Sequence, residues 1–381
     1  MPVDLHCPAC GADHAAGVEE PWRCDCGGPL EFATNPIPDA SPPPFSRLDT
    51  RRGLWTFFEF LPVEPRVTLG EGFTPMVDAD EWDAQFKLEY VFPTGSFKDR
   101  GATTTLSRAA ALGVDTVIED SSGNAGAAIA TYAARAGIDA EIYVPAEIKQ
   151  SKLMAIQRTG ARPVRIEGGR EAVTEACIEA VETGEGWYAS HAWNPAFYAG
   201  TKTFAFEVAA QRNWSVPDAV VLPLGHGTLL LGAYRGFREL REAGVTDRMP
   251  RLLAAQAAGY APVADERHAD DPEPAGNRLT ASLRGEAPAP EHNEIADGVQ
   301  IREPARADEI DRALEETDGD AIAIGEMATE NALDRLHRGG FYVEPTCAIA
   351  PAALWAYREA GVLAEDDDVV VPLTGSGMKT L

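Results

Sequence analysis

Two stretches of the chain alternate short β-branched runs with amphipathic segments of helical period, and this pattern leaves little freedom in fold. In the first, FKLEYVF (86–92), TVIED (116–120), AEIYVP (140–145) and RPVRIE (162–167) read as strands, and 103–112, 125–136, 151–159 and 171–183 as helices. From residue 202 the pattern resumes with helix TFAFEVAAQ, strand DAVVLPL, helix LLLGAYRGFREL and strand LLAAQA. Later come strand AIAIGE, helices ENALDRLHR and AIAPAALWAYREA, and strand DVVVPL. Regular βα alternation predicts parallel sheets with helices on both faces. The fold class is therefore α/β in two lobes, a smaller one over 85–199 and a larger one over 69–84 and 200–381. Two such lobes leave a cleft, the usual seat of a cofactor.

Composition narrows the function. Asp and Glu number 60 against 33 Lys and Arg, a net charge of −27, which leaves no basic footprint for nucleic acid. The acid is spread along the chain and only six residues are lysine, a surface suited to a high-salt, halophilic cytoplasm where cations screen carboxylates. The first residues lack a basic then apolar leader, and no apolar run reaches membrane-spanning length, so a cytoplasmic protein with no membrane partner is expected.

With lysine so scarce, Lys98 stands out. In PTGSFKDRG (93–101) a turn hands over to a helix expected to start near Ser96, a good N-cap residue. Lys98 then falls in the first turn, where the positive helix end disfavours an ammonium. A lysine kept partly neutral is a nucleophile toward a carbonyl cofactor. SSGNAG (121–126) follows a strand and opens a helix, so its free amides make a carboxylate or phosphate site. PLGHGTLLLG (223–232) repeats the strand-to-helix arrangement with a glycine-rich turn.

At the N-terminus, Cys7, Cys10, Cys24 and Cys26 form C-x-x-C and C-x-C pairs within a module over 1–34. Four cysteines so placed in a cytosolic chain predict a structural, ribbon-like zinc site, the alternatives being free thiols or a module that has lost its metal. The second pair is one residue tighter than a standard knuckle. Residues 35–68 read as a linker and N-terminal segment, proline-rich over NPIPDASPPP. The acidic, Pro/Ala-rich stretch 259–294 reads as a long loop. Cys177 and Cys347 read as buried thiols with no assigned role.

The Lys98 run, the SSGN loop, the glycine turn, HAWNPAFYAGTKTFAFE (191–207), YVEPTCA (342–348) and PLTGSGMK (372–379) together resemble the threonine synthases. These belong to the fold-type II pyridoxal-phosphate enzymes, whose architecture is that of the tryptophan synthase β family. The resemblance implies pyridoxal 5′-phosphate, held by Lys98 and contacted by Phe97, Asn124, Gly225, His226, Gly227, Thr228 and Thr374. It implies a small amino-acid substrate whose carboxylate meets Ser121, Ser122, Gly123, Asn124 and Ala125, a homodimer, and conversion of O-phosphohomoserine and water to threonine and phosphate. The chain departs from the pattern at Phe92, where asparagine is common. It departs again at His191, Ala192 and Phe197, where an Asn-Ser pair and an arginine are usual. A missing arginine removes a charge-assisted contact to a substrate phosphate, for which Arg100, Lys202 or Arg162 are candidate substitutes. A serine/threonine dehydratase or β-replacement synthase is the alternative within the same fold.

Overall fold

The cysteine segment folds as a three-stranded antiparallel sheet of β1 (Leu5–His6), β2 (Asp13–His14) and β3 (Glu31–Phe32), with β1 in the middle. The computed structural model describes residues 2–38, 41–269 and 292–379. By contact the chain divides into a first unit of Met1–Ala40, Arg47–Phe73 and Phe92–Thr203, and a second of Ser41–Ser46, Thr74–Val91 and Phe204–Leu381.

Between these segments and the first long helix lie β4 (Met76–Ala79) and β5 (Ala84–Lys87), both in the second unit. The first unit continues with α1 (Lys98–Leu112), β6 (Thr116–Glu119), α2 (Asn124–Ala136), β7 (Asp139–Pro145) and α3 (Gln150–Arg158). It then runs through β8 (Arg162–Ile166), α4 (Arg170–Glu182), β9 (Trp187–Tyr188) and α5 (Pro195–Thr201). Its four strands form one all-parallel sheet in the order β8-β7-β6-β9. Successive residues of β6 serve opposite faces, as strand geometry requires. Val117 joins Leu106, Ile129 and Tyr132 of α1 and α2, while Ile118 joins Val173 and Cys177 of α4.

A helix α6 (Thr203–Gln211) leads into β10 (Ala219–Pro223), α7 (Thr228–Glu242), β11 (Arg251–Ala257) and α8 (Pro262–Arg267). After the undescribed stretch come α9 (Ala307–Glu316), β12 (Asp320–Ile324), α10 (Glu326–Arg338), α11 (Ile349–Glu359) and β13 (Val369–Pro372). The second unit's sheet has the order β12-β11-β10-β13-β5-β4 and is parallel except for the edge pair β4–β5. β10 and β13 are buried along their whole length, which explains their unbroken apolar sequence.

Several expectations are corrected. The strand read over 86–92 stops at Lys87, which pairs with Pro372 at the end of β13, and Glu89–Val91 is a 3-10 turn. Lys87 itself is fully buried, donating from Nζ to Glu207 at 2.8 Å and to the Thr74 carbonyl at 2.6 Å. The expected loop over 259–294 begins as α8, and its residues 270–291 lie outside the described residues, as do 39 and 40 of the proline-rich linker. The segment Thr50–Phe60 is a run of 3-10 turns with Leu54, Trp55 and Phe57 buried. It passes so close to the 70–73 turn that a side chain on Gly53, at φ +58°, would overlap the Glu71 carbonyl.

The N-terminal module is fastened to α1. Arg108 of that helix donates through Nε and Nη2 to both carboxylate oxygens of Glu20, at 2.8 and 2.5 Å, and through Nη1 to the Val3 carbonyl at 3.0 Å. Leu5, Leu30 and Phe32 of the module share a core with Leu54, Trp55, Ala196 and Ala199.

Candidate active site

Lys98 is the first residue of α1, as the motif predicts, but the cap differs. Phe97 occupies the N-cap position, and no side chain caps the helix. The Ser96 hydroxyl is instead buried with no hydrogen-bond partner among the described residues. Asp99 closes the preceding turn, accepting from the Thr94 amide at 2.9 Å and from the Thr94 hydroxyl. Tyr132 of α2 donates to Asp99 at 3.3 Å and to buried Glu71 at 3.1 Å, and Glu71 also accepts from Trp55 and the Leu69 amide. Burial and the two carboxylates push the Tyr132 phenol well above its ordinary pKa, so it is a fixed donor. The Lys98 ammonium lies 3.9 Å from the centre of the Phe97 ring.

The SSGN loop springs from the carboxyl end of β6, where open parallel sheets bind ligands. Ser121 accepts from the Gly123 amide at 3.2 Å, Gly123 is the N-cap of α2, and Asn124 is its first residue. A side chain at Gly126 would overlap the Ser121 carbonyl, so glycine is required for the loop to fold back on its helix. Ser122 and Gly123 are half-exposed at this edge, with Ala125 buried behind them.

Just ahead of the loop sits a pair that sequence reading did not single out. Glu119 is fully buried, and its Oε1 lies 2.7 Å from Nδ1 of His191, while Oε2 accepts from the His191 amide at 3.2 Å. Burial, reinforced by Asp120, raises the Glu119 carboxyl well above the carboxylate range. Burial, with Lys98 next in weight, lowers the His191 imidazole to about 3. The available signal was the acidic doublet ED at a strand end, together with a histidine at a position of departure.

In the second unit, Leu224–Gly227 connect β10 to α7, whose first residue is Thr228. Gly227 has φ +79°, and a side chain there would press into Ile310, while one at Gly225 would crowd Val299 and Ile301. His226 is half-exposed. Amides in the first turn of a helix have no intrahelical partner, so this loop has the donor set an anion needs without a basic side chain. Thr374, two residues past β13, is buried, and its amide donates to the Cys347 sulfur at 3.2 Å. The first unit thus carries a primary amine at a helix start, and the second carries a glycine-rich turn at a helix start and a buried threonine hydroxyl.

The departures have physical settings. Phe92 is buried and offers its ring to the Arg100 guanidinium at 5.0 Å, and Arg100 donates to Thr203 Oγ1 at 3.0 Å. Phe197 is fully buried in the core of the first unit, against Gly101. Among the candidate substitutes, Arg100 and Lys202 are buried, whereas Arg162 is exposed on β8 and paired with Glu141.

The four N-terminal sulfurs lie within 4.8 Å of one another, with Cys7–Cys26 at 3.6 Å and Cys10–Cys24 at 3.5 Å. Zinc–sulfur bonds of about 2.3 Å put two sulfurs of a tetrahedral site about 3.8 Å apart, and a disulfide needs about 2.05 Å. The spacing fits a metal and excludes bridges. Both turns close on a glycine of positive φ: the Gly11 amide reaches the Cys7 carbonyl and the Gly27 amide the Cys24 carbonyl, each at 2.8 Å. The second turn is shorter by one residue, which is how C-x-C takes the place of a longer knuckle.

A model of the family described as pyridoxal-phosphate dependent enzyme matches residues 67–375. Threonine synthases of Methanosarcina acetivorans and Methanocaldococcus jannaschii are 32% and 30% identical to this chain, each alignment covering 98% of it and 92% of the relative. Among solved structures, a processed threonine deaminase of Solanum lycopersicum superposes with a TM-score of 0.64 at 20% identity, over 80% of this chain and 79% of the other, a likeness of fold. The chain belongs to the pyridoxal-phosphate-dependent enzymes of fold type II and, within them, to the threonine synthase family.

Proposed function

We propose that this protein is a pyridoxal-phosphate-dependent lyase that converts O-phosphohomoserine and water to threonine and phosphate. The observation that carries the reading is near-full-length identity of about a third with threonine synthases, coinciding with Lys98 at the start of α1. Bound pyridoxal phosphate would supply the electron sink that lets an amino acid lose its α-hydrogen. Lys98 would hold the cofactor aldehyde, and its amine would carry protons to and from the substrate. Phe97 and Asn124 contact the cofactor, and the Gly225–His226–Gly227–Thr228 amides hold its phosphate. Ser121 to Ala125 take the substrate carboxylate. Thr374 would offer the ring nitrogen a neutral hydroxyl, a partner that favours elimination and replacement over transamination.

Cys7, Cys10, Cys24 and Cys26 would hold a structural zinc, a reading that four thiols within 4.8 Å of one another support. The resemblance implies a homodimer, and unbridged cysteines suit a reducing cytoplasm. No helix among the described residues is long and apolar enough to cross a membrane.

A dehydratase or β-replacement reading has one specific observation in its favour: position 197, where the pattern has arginine, is a core phenylalanine. The deciding experiment is phosphate release from O-phosphohomoserine by cofactor-loaded protein in molar salt. Stoichiometric threonine and phosphate, abolished in Lys98→Ala, support the synthase. Coloured protein that releases no phosphate but yields ammonia and a 2-oxo acid from threonine or serine supports the dehydratase.

A further inference from the structure

β6 and β9 are parallel neighbours, with Val117 opposite Trp187 and Ile118 opposite Tyr188. Both chains leave the sheet at its ligand-binding edge, and this brings Glu119 and His191 together although they are 72 residues apart. The charged and titratable groups acting on the pair are Lys98 from α1, Asp120 from the loop, and Arg170 from the start of α4. A third ligand-type side chain, Asp120, lies within 4.8 Å of the pair. Yet its two oxygens accept from Tyr188 at 2.9 Å and Thr174 at 2.6 Å, and both Glu119 oxygens are engaged by His191. The cluster is thus a hydrogen-bonded proton site, not a cation site.

The geometry also locates the proton. Burial favours the neutral form of both partners. Oε2 of Glu119 accepts an amide hydrogen, so the acidic hydrogen belongs on Oε1 and is donated to Nδ1. The ring then keeps its own hydrogen on Nε2. Such a pair can give up a proton at Nε2 and refill the ring from behind.

We infer that Glu119 and His191 form a coupled proton carrier for the reaction, with His191 as donor to the departing phosphate and Glu119 as the positioning residue that sets its tautomer and resupplies it. This rests on the threonine synthase reading. As the Cγ–O bond of the substrate breaks, the Nε2–H bond breaks and a phosphate O–H forms, while the Glu119 O–H breaks and Nδ1–H forms. The ring stays neutral and the charge passes to the Glu119 carboxylate, where the fields of Lys98 and Arg170 favour it. When water adds at Cβ, its proton returns to Nε2 and the Nδ1 proton to Oε1, which closes the cycle. Lys98 is left to serve the carbon-bound hydrogens, taking those at Cα and Cβ and returning them at Cγ and Cα.

The test has two arms. In cofactor-free protein labelled with ¹⁵N-histidine, His191→Asn identifies the ring among seven histidines. Its hydrogen is expected on Nε2 with no titration between about pH 5 and 8, and Glu119→Ala should mix the tautomers. A ring protonated on Nδ1, or one that titrates in this range, would overturn the inference. In loaded enzyme, phosphate release should fall about 10²–10⁴-fold in His191→Asn and at least about tenfold in the near-isosteric Glu119→Gln. Exchange of the substrate α-hydrogen with deuterated solvent should stay within about twofold of wild type in both. Unchanged phosphate release, or exchange lost in parallel with it, would refute the relay. Wild-type enzyme that releases no phosphate defeats the synthase reading instead, and the spectrum still decides where the proton sits.

Discussion

The ring of Phe197 fills the space that a side chain on Gly101 would need, one turn into the helix that begins at Lys98. Helix α1 therefore approaches α5 at a distance set by a glycine and a phenylalanine, and the lysine's position depends on both. Gly101→Ala is expected to destabilise the protein by about 1–3 kcal/mol through overpacking. Phe197→Ala should cost about 3–5 kcal/mol through cavity formation. The double variant should be less unstable than the sum, because the new methyl enters the new cavity. Urea unfolding of the four proteins measures the coupling, and strict additivity would show that the contact does not position α1.

The same site predicts the outcome of restoring the family's arginine. Phe197→Arg would bury a guanidinium in the core that Phe197 shares with Leu106, Ile129 and Ala102. The variant should lose stability and not gain affinity for a phosphorylated substrate. A lower KM at unchanged thermal midpoint would contradict this.

Acid sensitivity should trace in part to Glu309 of α9. Its carboxylate accepts from Nε and Nη2 of Arg235, both at 2.7 Å, and from Arg306 at 3.3 Å. Burial opposes ionisation there, but the two guanidinium groups prevail and lower the pKa from 4.5 to about 2. The stabilisation is therefore complete above about pH 4.5, the unfolded value, and is lost as pH falls toward about 2. Glu309→Gln should be less stable than wild type at pH 7, with the gap closing between pH 5 and pH 2. A gap that does not change with pH would assign the loss to packing.

The cysteine cluster should bind one zinc per chain and unfold more easily without it. Cys10→Ser or a strong chelator is expected to lower the thermal midpoint and detach the module, since metal binding and folding are linked. Metal analysis beside a melting curve tests both. A metal-free protein of unchanged midpoint would make the cluster a set of plain thiols.

With a net charge of −27, the folded chain should gain stability as potassium chloride rises from about 0.1 M, where the Debye length is about 10 Å, to about 1 M, where it is about 3 Å. A thermal midpoint that falls over this range would count against the high-salt reading.

Much of this arrangement is legible in the sequence, because it depends on local pattern. The βα alternation, the strand-to-helix turns around Lys98, Ser121 and Gly225, and the paired cysteines each lie within a few residues. What escaped depends on contacts distant in sequence. Glu119 and His191 meet only because β6 and β9 are neighbours, and no periodicity announces which strands are adjacent. Tyr132, Glu71 and Asp99 are joined the same way. The strand at 86–92 was overextended because its apolar run continues past the point where its partner strand ends at Pro372. Ser96 has a capping side chain, but the turn that seats Lys98 buries its hydroxyl instead.

The bond between Arg108 and Glu20 bears on how such an enzyme can be cut or grafted. In sequence the first 34 residues look like a detachable bead, separated from the rest by prolines. In the structure they cap the flank of the helix that presents Lys98 and cover Leu54, Trp55, Ala196 and Ala199. A truncation at the proline segment would bare that apolar patch and strip a guanidinium on α1 of its two anchors. The N-terminal module is part of the enzyme's hydrophobic envelope, and modularity ends where its side chains begin.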